Sequence, residues 1–273
     1  MSRPTTVPLP RGVLGGPRAA APPVRLLPWG LVGAAVLVQI VYPLVPDAVR
    51  AEITVASVLV FCAASVCDAA RVHGPRGAAV LLAVAGGGGL LVEAVGVHTG
   101  VPFGAYAYTG DLGAEVLGVP AVVPLAWAMM AWPALVVGRT LARRLPVALV
   151  GGVALAAWDL FLDPQMVDAG HWTWAHPHPA LPLVPGVPLT NYAGWLLVAV
   201  VMVGALHRVL PRHDRPSGPA AALYLWAYGS SVLAHVVFFD RPGSAVVGGL
   251  AMGVPAVLFA RALWVSTRRP QSA

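Results

Sequence analysis

The sequence predicts an all-α, polytopic transmembrane helix bundle of about eight helices, with the N- and C-termini on the cytoplasmic side. Three observations carry that prediction. Of 273 residues, 58% are hydrophobic and only 10% charged, whereas a soluble domain carries about 25% charged residues. The apolar residues fall into runs long enough to cross a hydrocarbon core of about 30 Å. The arginines alternate between the connections as the positive-inside rule requires.

In chain order, residues 1–24 are rich in Pro, Arg and Gly and read as a disordered tail. Arg25 then precedes the apolar run Leu26–Val45. A secretory signal competes for this stretch, but no A-x-A-like cleavage site follows, so it reads as the first transmembrane helix. Further spans are expected at 52–71, 77–98, 119–138, 145–163, 190–209, 219–239 and 244–265. Together they make one helical domain over 25–266, followed by a short cytoplasmic tail, 267–273. Pro146 and Pro219 suit helix starts. Pro124, Pro133 and Pro255 have to be tolerated inside helices, as membrane spans allow. The glycine run Gly86–Gly89 permits close helix approach, for packing or for binding. Cys62 and Cys67 share one apolar segment and read as inert small hydrophobes.

All 17 cationic side chains are arginines. With the N-terminus inside, the inner segments hold Arg3, Arg11, Arg18 and Arg25, then Arg71 and Arg76, then Arg139, Arg143 and Arg144. They also hold Arg208, Arg212 and Arg215, and finally Arg261, Arg268 and Arg269, whereas the outer segments hold Arg50 and Arg241. Adding or removing one span would scramble this alternation. The same dispersal between apolar spans argues against nucleic acid as a partner. The lipid bilayer is the expected surrounding, as for a multi-pass protein of a bacterial plasma membrane.

The alternation puts two long arginine-free connections, His98–Gly118 and Pro164–Pro188, on the same outer side. They are rich in polar and aromatic residues, among them His98, Tyr106, Tyr108, Asp111, Glu115, His171, Trp172 and Trp174. Connections this long are expected to fold back onto the bundle. For Trp172 and Trp174 an aromatic belt at the membrane interface is the competing reading.

The stretch Ala157–Val167, A-W-D-L-F-L-D-P-Q-M-V, organises the chemistry. Asp159 and Asp163 lie four residues apart, roughly 40° around a helix axis and so on one face. Pro164 cannot donate a backbone hydrogen bond, so the helix is expected to stop there. Ionisable groups in a membrane span are costly and default to functional hypotheses. The plainer alternative is an Asp163-Pro164 turn, with Asp159 hydrogen-bonding Asn191 or Tyr192 to lock two helices.

Four ordered blocks carry a family resemblance. They are E-A-V-G-V-H-T-G-V-P-F-G-A-Y-A-Y-T from Glu93, G-V-P-A-V-V-P-L-A-W-A-M-M-A-W-P-A from Gly118, A-W-D-L-F-L-D-P-Q-M-V-D-A-G-H-W-T-W from Ala157 and G-V-P-L-T-N-Y-A-G-W from Gly186. The chain resembles, over roughly residues 50–265, the carotenoid-biosynthesis membrane protein family. That family includes CruF-type carotenoid 1,2-hydratases and bisanhydrobacterioruberin hydratases. One departure is the Pro/His-rich segment between Trp174 and Gly186, which bears on which end group is accepted. The resemblance implies hydration of an acyclic (ψ) carotenoid end group to a tertiary alcohol, with no metal and no redox or nucleotide cofactor. It also implies a lipophilic carotenoid as substrate and other membrane enzymes of the same pathway as neighbours.

The residues fit that chemistry in their own right. Hydrating a trisubstituted alkene means protonation at C2, a tertiary cation at C1 and capture by water. Carbon is a poor base, so the acid must be strong yet protonated near neutral pH, which burial and a neighbouring carboxylate favour. Asp159 and Asp163 make such a pair, opposed by Glu93 from the third helix. Trp127, Trp158 and Tyr106 offer ring faces to a cation. A second carboxylate or His171 can take the proton from the attacking water. Tyr108, Phe103, Asn191 and Trp195 complete the expected substrate contacts.

Two rival classes share these features. An integral-membrane prenyltransferase would use D-x-x-x-D to hold Mg²⁺ against a diphosphate. It would need a second Asp-rich motif and cations beside the phosphates, yet the outer loops hold no arginine beside the pair, and the inferred topology places it away from the cytoplasm, where soluble diphosphates are made. A proton-coupled transporter would use the same acids as a relay, but the acidic pattern does not recur in the second half.

Overall fold

The computed structural model describes residues 22–142, 145–213 and 215–268. Most of the expected N-terminal tail, with Arg3, Arg11 and Arg18, lies outside them, as do Arg143, Arg144 and the tail from Arg269. The helices are α1 (Pro22–Val41), α2 (Arg50–His73), α3 (Pro75–Leu81), α4 (Gly88–Thr99), α5 (Val122–Leu141), α6 (Val147–Asp168), α7 (Leu189–Val209), α8 (Gly218–Val237) and α9 (Pro242–Arg268). A π-helical segment, Leu82–Gly87, joins α3 to α4 in one span. Among the described residues, eight helical stretches are long and apolar enough to cross a membrane. The protein is therefore a multi-pass membrane protein of the expected helix count.

One expectation needs correcting. The fifth span does not stop at Asp163: α6 runs through Pro164 to Asp168. Proline deprives the Leu160 carbonyl of its helical donor. The next carbonyl, that of Phe161, faces His235 Nε2 of α8 at 3.1 Å. Such polar partners from a neighbouring helix let proline persist inside a membrane span. Asp163 therefore stays helical, stacked one turn from Asp159. The third span, in turn, is not a regular α-helix, since its π segment overlaps the glycine run. A Cβ added at Gly89 would lie 2.8 Å from the Trp127 ring. This glycine serves packing, by letting α4 close onto Trp127.

Helix α5 is the axis of the bundle. Every residue from Trp127 to Gly138 is buried, as befits a helix apolar on all sides. It meets α6 almost backbone to backbone, since a Cβ on Gly138 would come within 2.9 Å of the Gly151 nitrogen. Small residues at such crossings are how membrane helices gain van der Waals contact where lipid gives no hydrophobic drive. The perimeter is apolar and bare, with Leu250 71% and Leu91 64% exposed, surface that a bilayer covers.

The two long connections do fold back, and they do so as strands. β1 (Tyr106–Tyr108) pairs antiparallel with β4 (Trp172–Trp174), Tyr106 opposite Trp174 and Tyr108 opposite Trp172. Two smaller ribbons, β2 (Glu115–Val116) with β3 (Val119–Pro120) and β5 (Ala180–Leu181) with β6 (Val184–Pro188), brace the same end. The motifs Y-A-Y and W-T-W alternate with the two-residue period of a strand. That period turns Tyr106, Trp172 and Trp174 inward, all three buried, while Ala107 and Thr173 face out. Trp174 Nε1 donates to the Phe103 carbonyl at 2.9 Å, fixing the flap to the loop that precedes it. The two tryptophans thus belong to the interior and not to an interfacial belt.

The arginine pattern predicts which way this end points. A reporter fused after Arg143 or Arg212 is expected to behave as cytoplasmic, and one inserted near Asp111 or Pro177 as exported. A cytoplasmic signal at Pro177 would overturn that orientation.

Candidate active site

At the flap end the helices enclose a cavity of about 180 Å³. Its walls come from α4 to α7 and the β1–β4 flap on one side, and from α1, α2 and α8 on the other.

Glu93, from α4, is buried and fully occupied. Its Oε1 accepts from Trp127 Nε1 at 2.9 Å, and its Oε2 from Tyr106 Oη at 2.5 Å and Tyr108 Oη at 2.9 Å. An indole N–H can only donate, so this oxygen serves as an acceptor. Burial pushes both phenols up from the usual tyrosine range, and the adjacent Glu93 carboxylate adds to it. They therefore remain protonated donors. The spacing Glu93…Tyr106…Tyr108 is the loop that leaves α4 and returns over its own last turns.

Asp163 faces the cavity together with Asn191 from the start of α7. Asn191 Nδ2 donates to Asp159 Oδ2 at 3.0 Å and, through a still shorter contact, to Asp163 Oδ2. One amide group thus spans two carboxyl groups one helical turn apart. Asp159 is fully buried behind them, away from the cavity wall, and its Oδ1 has no hydrogen-bond partner among the described residues. A buried polar atom without a partner is uncommon and calls for an explanation. Here the orphaned oxygen belongs to one of two carboxyl groups held by a single amide.

The aromatic side chains close the space around this pair. Trp127 and Trp195 stack, with ring centroids 3.9 Å apart and planes 16° from parallel. Trp158 meets Trp195 edge-on at 6.2 Å, and Phe103 lies 6.5 Å from Trp127. Tyr106 lies against Trp174 at 5.7 Å. Every expected substrate contact lines the cavity: Trp127, Trp158, Tyr106, Tyr108, Phe103, Asn191 and Trp195.

His171 does not join them. Its Nδ1 lies 2.7 Å from Asp111 Oδ2, clasping the two long connections outside the cavity wall. Sequence reasoning also missed the far wall, where Gln39, Ser57, Ser230 and Ser231 bring polar groups from three helices to the same space. No motif marks them, although a Ser-Ser pair inside an apolar helix is a weak hint.

A family model described as "Carotenoid biosynthesis protein" matches residues 52–255, from the first turn of α2 to the middle of α9. Over 118 residues the chain is 36% identical to the bisanhydrobacterioruberin hydratase of Haloarcula japonica. That match covers 41% of this chain and 39% of the relative, well short of the relative's full length. No solved structure matches the chain.

Proposed function

The chain belongs to the carotenoid biosynthesis protein family, and from that premise we propose that it is a carotenoid 1,2-hydratase, adding water across the terminal double bond of an acyclic ψ end group to give a tertiary alcohol. The observation that best supports this reading is the Asp163–Asn191–Asp159 arrangement at the wall of an aromatic cavity. Similarity to a relative named as a hydratase supports it independently.

The chemistry proceeds as follows. The protonated carboxyl of Asp163 gives its proton to C2, and the electron pair of the double bond forms the new C–H bond. The cation left at C1 lies among the indole rings, whose faces stabilise positive charge. Water bonds to C1 through oxygen and gives up a proton to the carboxylate pair, which restores the acid. Atoms and charge balance with no redox step. Glu93, held by three donors, keeps its carboxyl oxygens fixed on the same cavity wall. The hydroxyls of Ser57 and Ser230 across the cavity offer partners for the water.

Size agrees with an end group. An apolar cavity of about 150 Å³ takes up benzene, so about 180 Å³ suits one or two isoprene units and not a whole polyene. The remainder of the substrate runs out between helices toward lipid.

The test is the pigment profile of a host that accumulates a ψ-end carotenoid such as lycopene, with and without this protein. A gain of one water's mass is expected. A five-carbon increment would make the protein a prenyltransferase instead, and unchanged pigment would favour transport.

A further inference from the structure

At the opposite end of the bundle lies a second and larger cavity, of about 760 Å³, with no part in the chemistry above. It is bounded by the C-terminal turns of α2 and α5, the connection between α7 and α8, and the last turns of α9. Arg139, Arg215, Arg261, His73 and His213 all line it, and among the described residues no carboxylate does. Asp68, a buried acid of α2, is already committed. Its Oδ1 accepts from Arg71 at 2.7 Å, and its Oδ2 from Trp132 Nε1 at 2.8 Å and Ser217 Oγ at 2.5 Å. Arg139 is anchored by the carbonyls of Leu210 and Pro211, at 2.7 and 2.8 Å, which holds its charge at the rim. His73 and His213 stand 4.8 Å apart, and His73 Nε2 is buried without a partner among the described residues.

The rest of the wall combines apolar side chains, Val136, Leu258, Leu263 and Val265 among them, with the hydroxyl residues Thr140, Ser217 and Ser266. A concentration of positive charge beside hydrocarbon-lined surface, at the arginine-rich end of a membrane protein, suits an amphiphile with a phosphate head. Basic pockets between transmembrane helices recognise anionic lipid head groups in this way, and guanidinium groups are matched to phosphate oxygens. We propose that this cavity binds the phosphate head group of an anionic membrane phospholipid, with Arg215 and Arg261 as its principal phosphate contacts and its acyl chains along the α9 wall.

The proposal is tested on the full chain purified in mild detergent, by native mass spectrometry and thermal unfolding with added lipid. Phosphatidylglycerol is expected to remain bound and to raise the unfolding temperature, and phosphatidylcholine is not. Arg215→Gln/Arg261→Gln is expected to lower phosphatidylglycerol affinity roughly thirtyfold, at about the worth of one juxtamembrane charge each. Arg50→Gln, at the flap end, serves as the control and should bind as the unaltered chain does. Stabilisation by inorganic phosphate equal to that by phosphatidylglycerol would make this a free-anion site and overturn the lipid assignment. Equal lipid retention by the double variant and the unaltered chain would overturn the site itself. Hydratase activity is not a readout in any arm, so failure here is distinct from failure of the proposed reaction.

Discussion

Asp163→Asn is expected to lower the hydrated fraction of carotenoid by about two orders of magnitude or more, the range of a lost general acid, at unchanged protein level in the membrane. Asparagine matches aspartate in shape and keeps a carbonyl oxygen to accept from Asn191 Nδ2, so the α6–α7 contact survives while the transferable proton does not. Asp163 is the member of the pair at the cavity wall, and Asp159 lies behind it. Asp159→Asn is accordingly expected to cost less, because it removes a proton reservoir and not the donor. Carotenoid extracted at matched protein level and separated by mass gives both numbers. A larger loss in Asp159→Asn would move the donor to that residue. Loss of the protein itself in Asp163→Asn would make the pair a helix lock, the plainer reading of the same residues.

How much of this was legible before the structure depends on the kind of signal. Span count and the shared end of the two long connections follow from hydropathy and arginine placement, since a bilayer imposes both at the level of whole segments. Glu93, Asp159 and Asp163 stood out because charge inside an apolar run is rare. Asn191 was visible as a partner for Asp159 but not as the group that spans both acids, because its neighbours depend on how α6 and α7 face each other. Pro164 misled, since the local rule against helical proline takes no account of His235, 71 residues away along the chain. His171 reads in the sequence as one candidate base for the attacking water, and its contact with Asp111, 60 residues away along the chain, is visible only in the structure. The Asp68–Ser217 contact joins α2 to the residue that precedes α8, far apart in sequence, and has no pattern to betray it. The β1–β4 pairing did leave a trace in Y-A-Y and W-T-W, but strands of three residues are too short to claim from alternation alone.

The second large effect concerns the cation. Trp127 is an ambiguous probe, because its Nε1 also donates to Glu93 at 2.9 Å and any substitution there disturbs the carboxylate as well. Trp195 stacks on Trp127 at 3.9 Å, lines the same cavity and leaves that hydrogen bond in place. If the indole faces hold the C1 cation, Trp195→Phe keeps a ring and retains much of the activity, whereas Trp195→Leu keeps only apolar bulk. A cation–π contact in a dry site is worth about 2 kcal/mol or more, roughly thirtyfold in rate, which is the expected gap between the two variants. Packing alone predicts a different ordering. Both substitutions shrink a residue that is 6% exposed, so both would lose stability and activity by similar amounts. The measurement is the hydroxylated fraction of carotenoid at matched protein level, with unfolding temperature recorded for each variant. A thirtyfold gap at similar stability supports the cation role, while equal losses would remove Trp195 from the mechanism and leave Asp163 as the donor untouched.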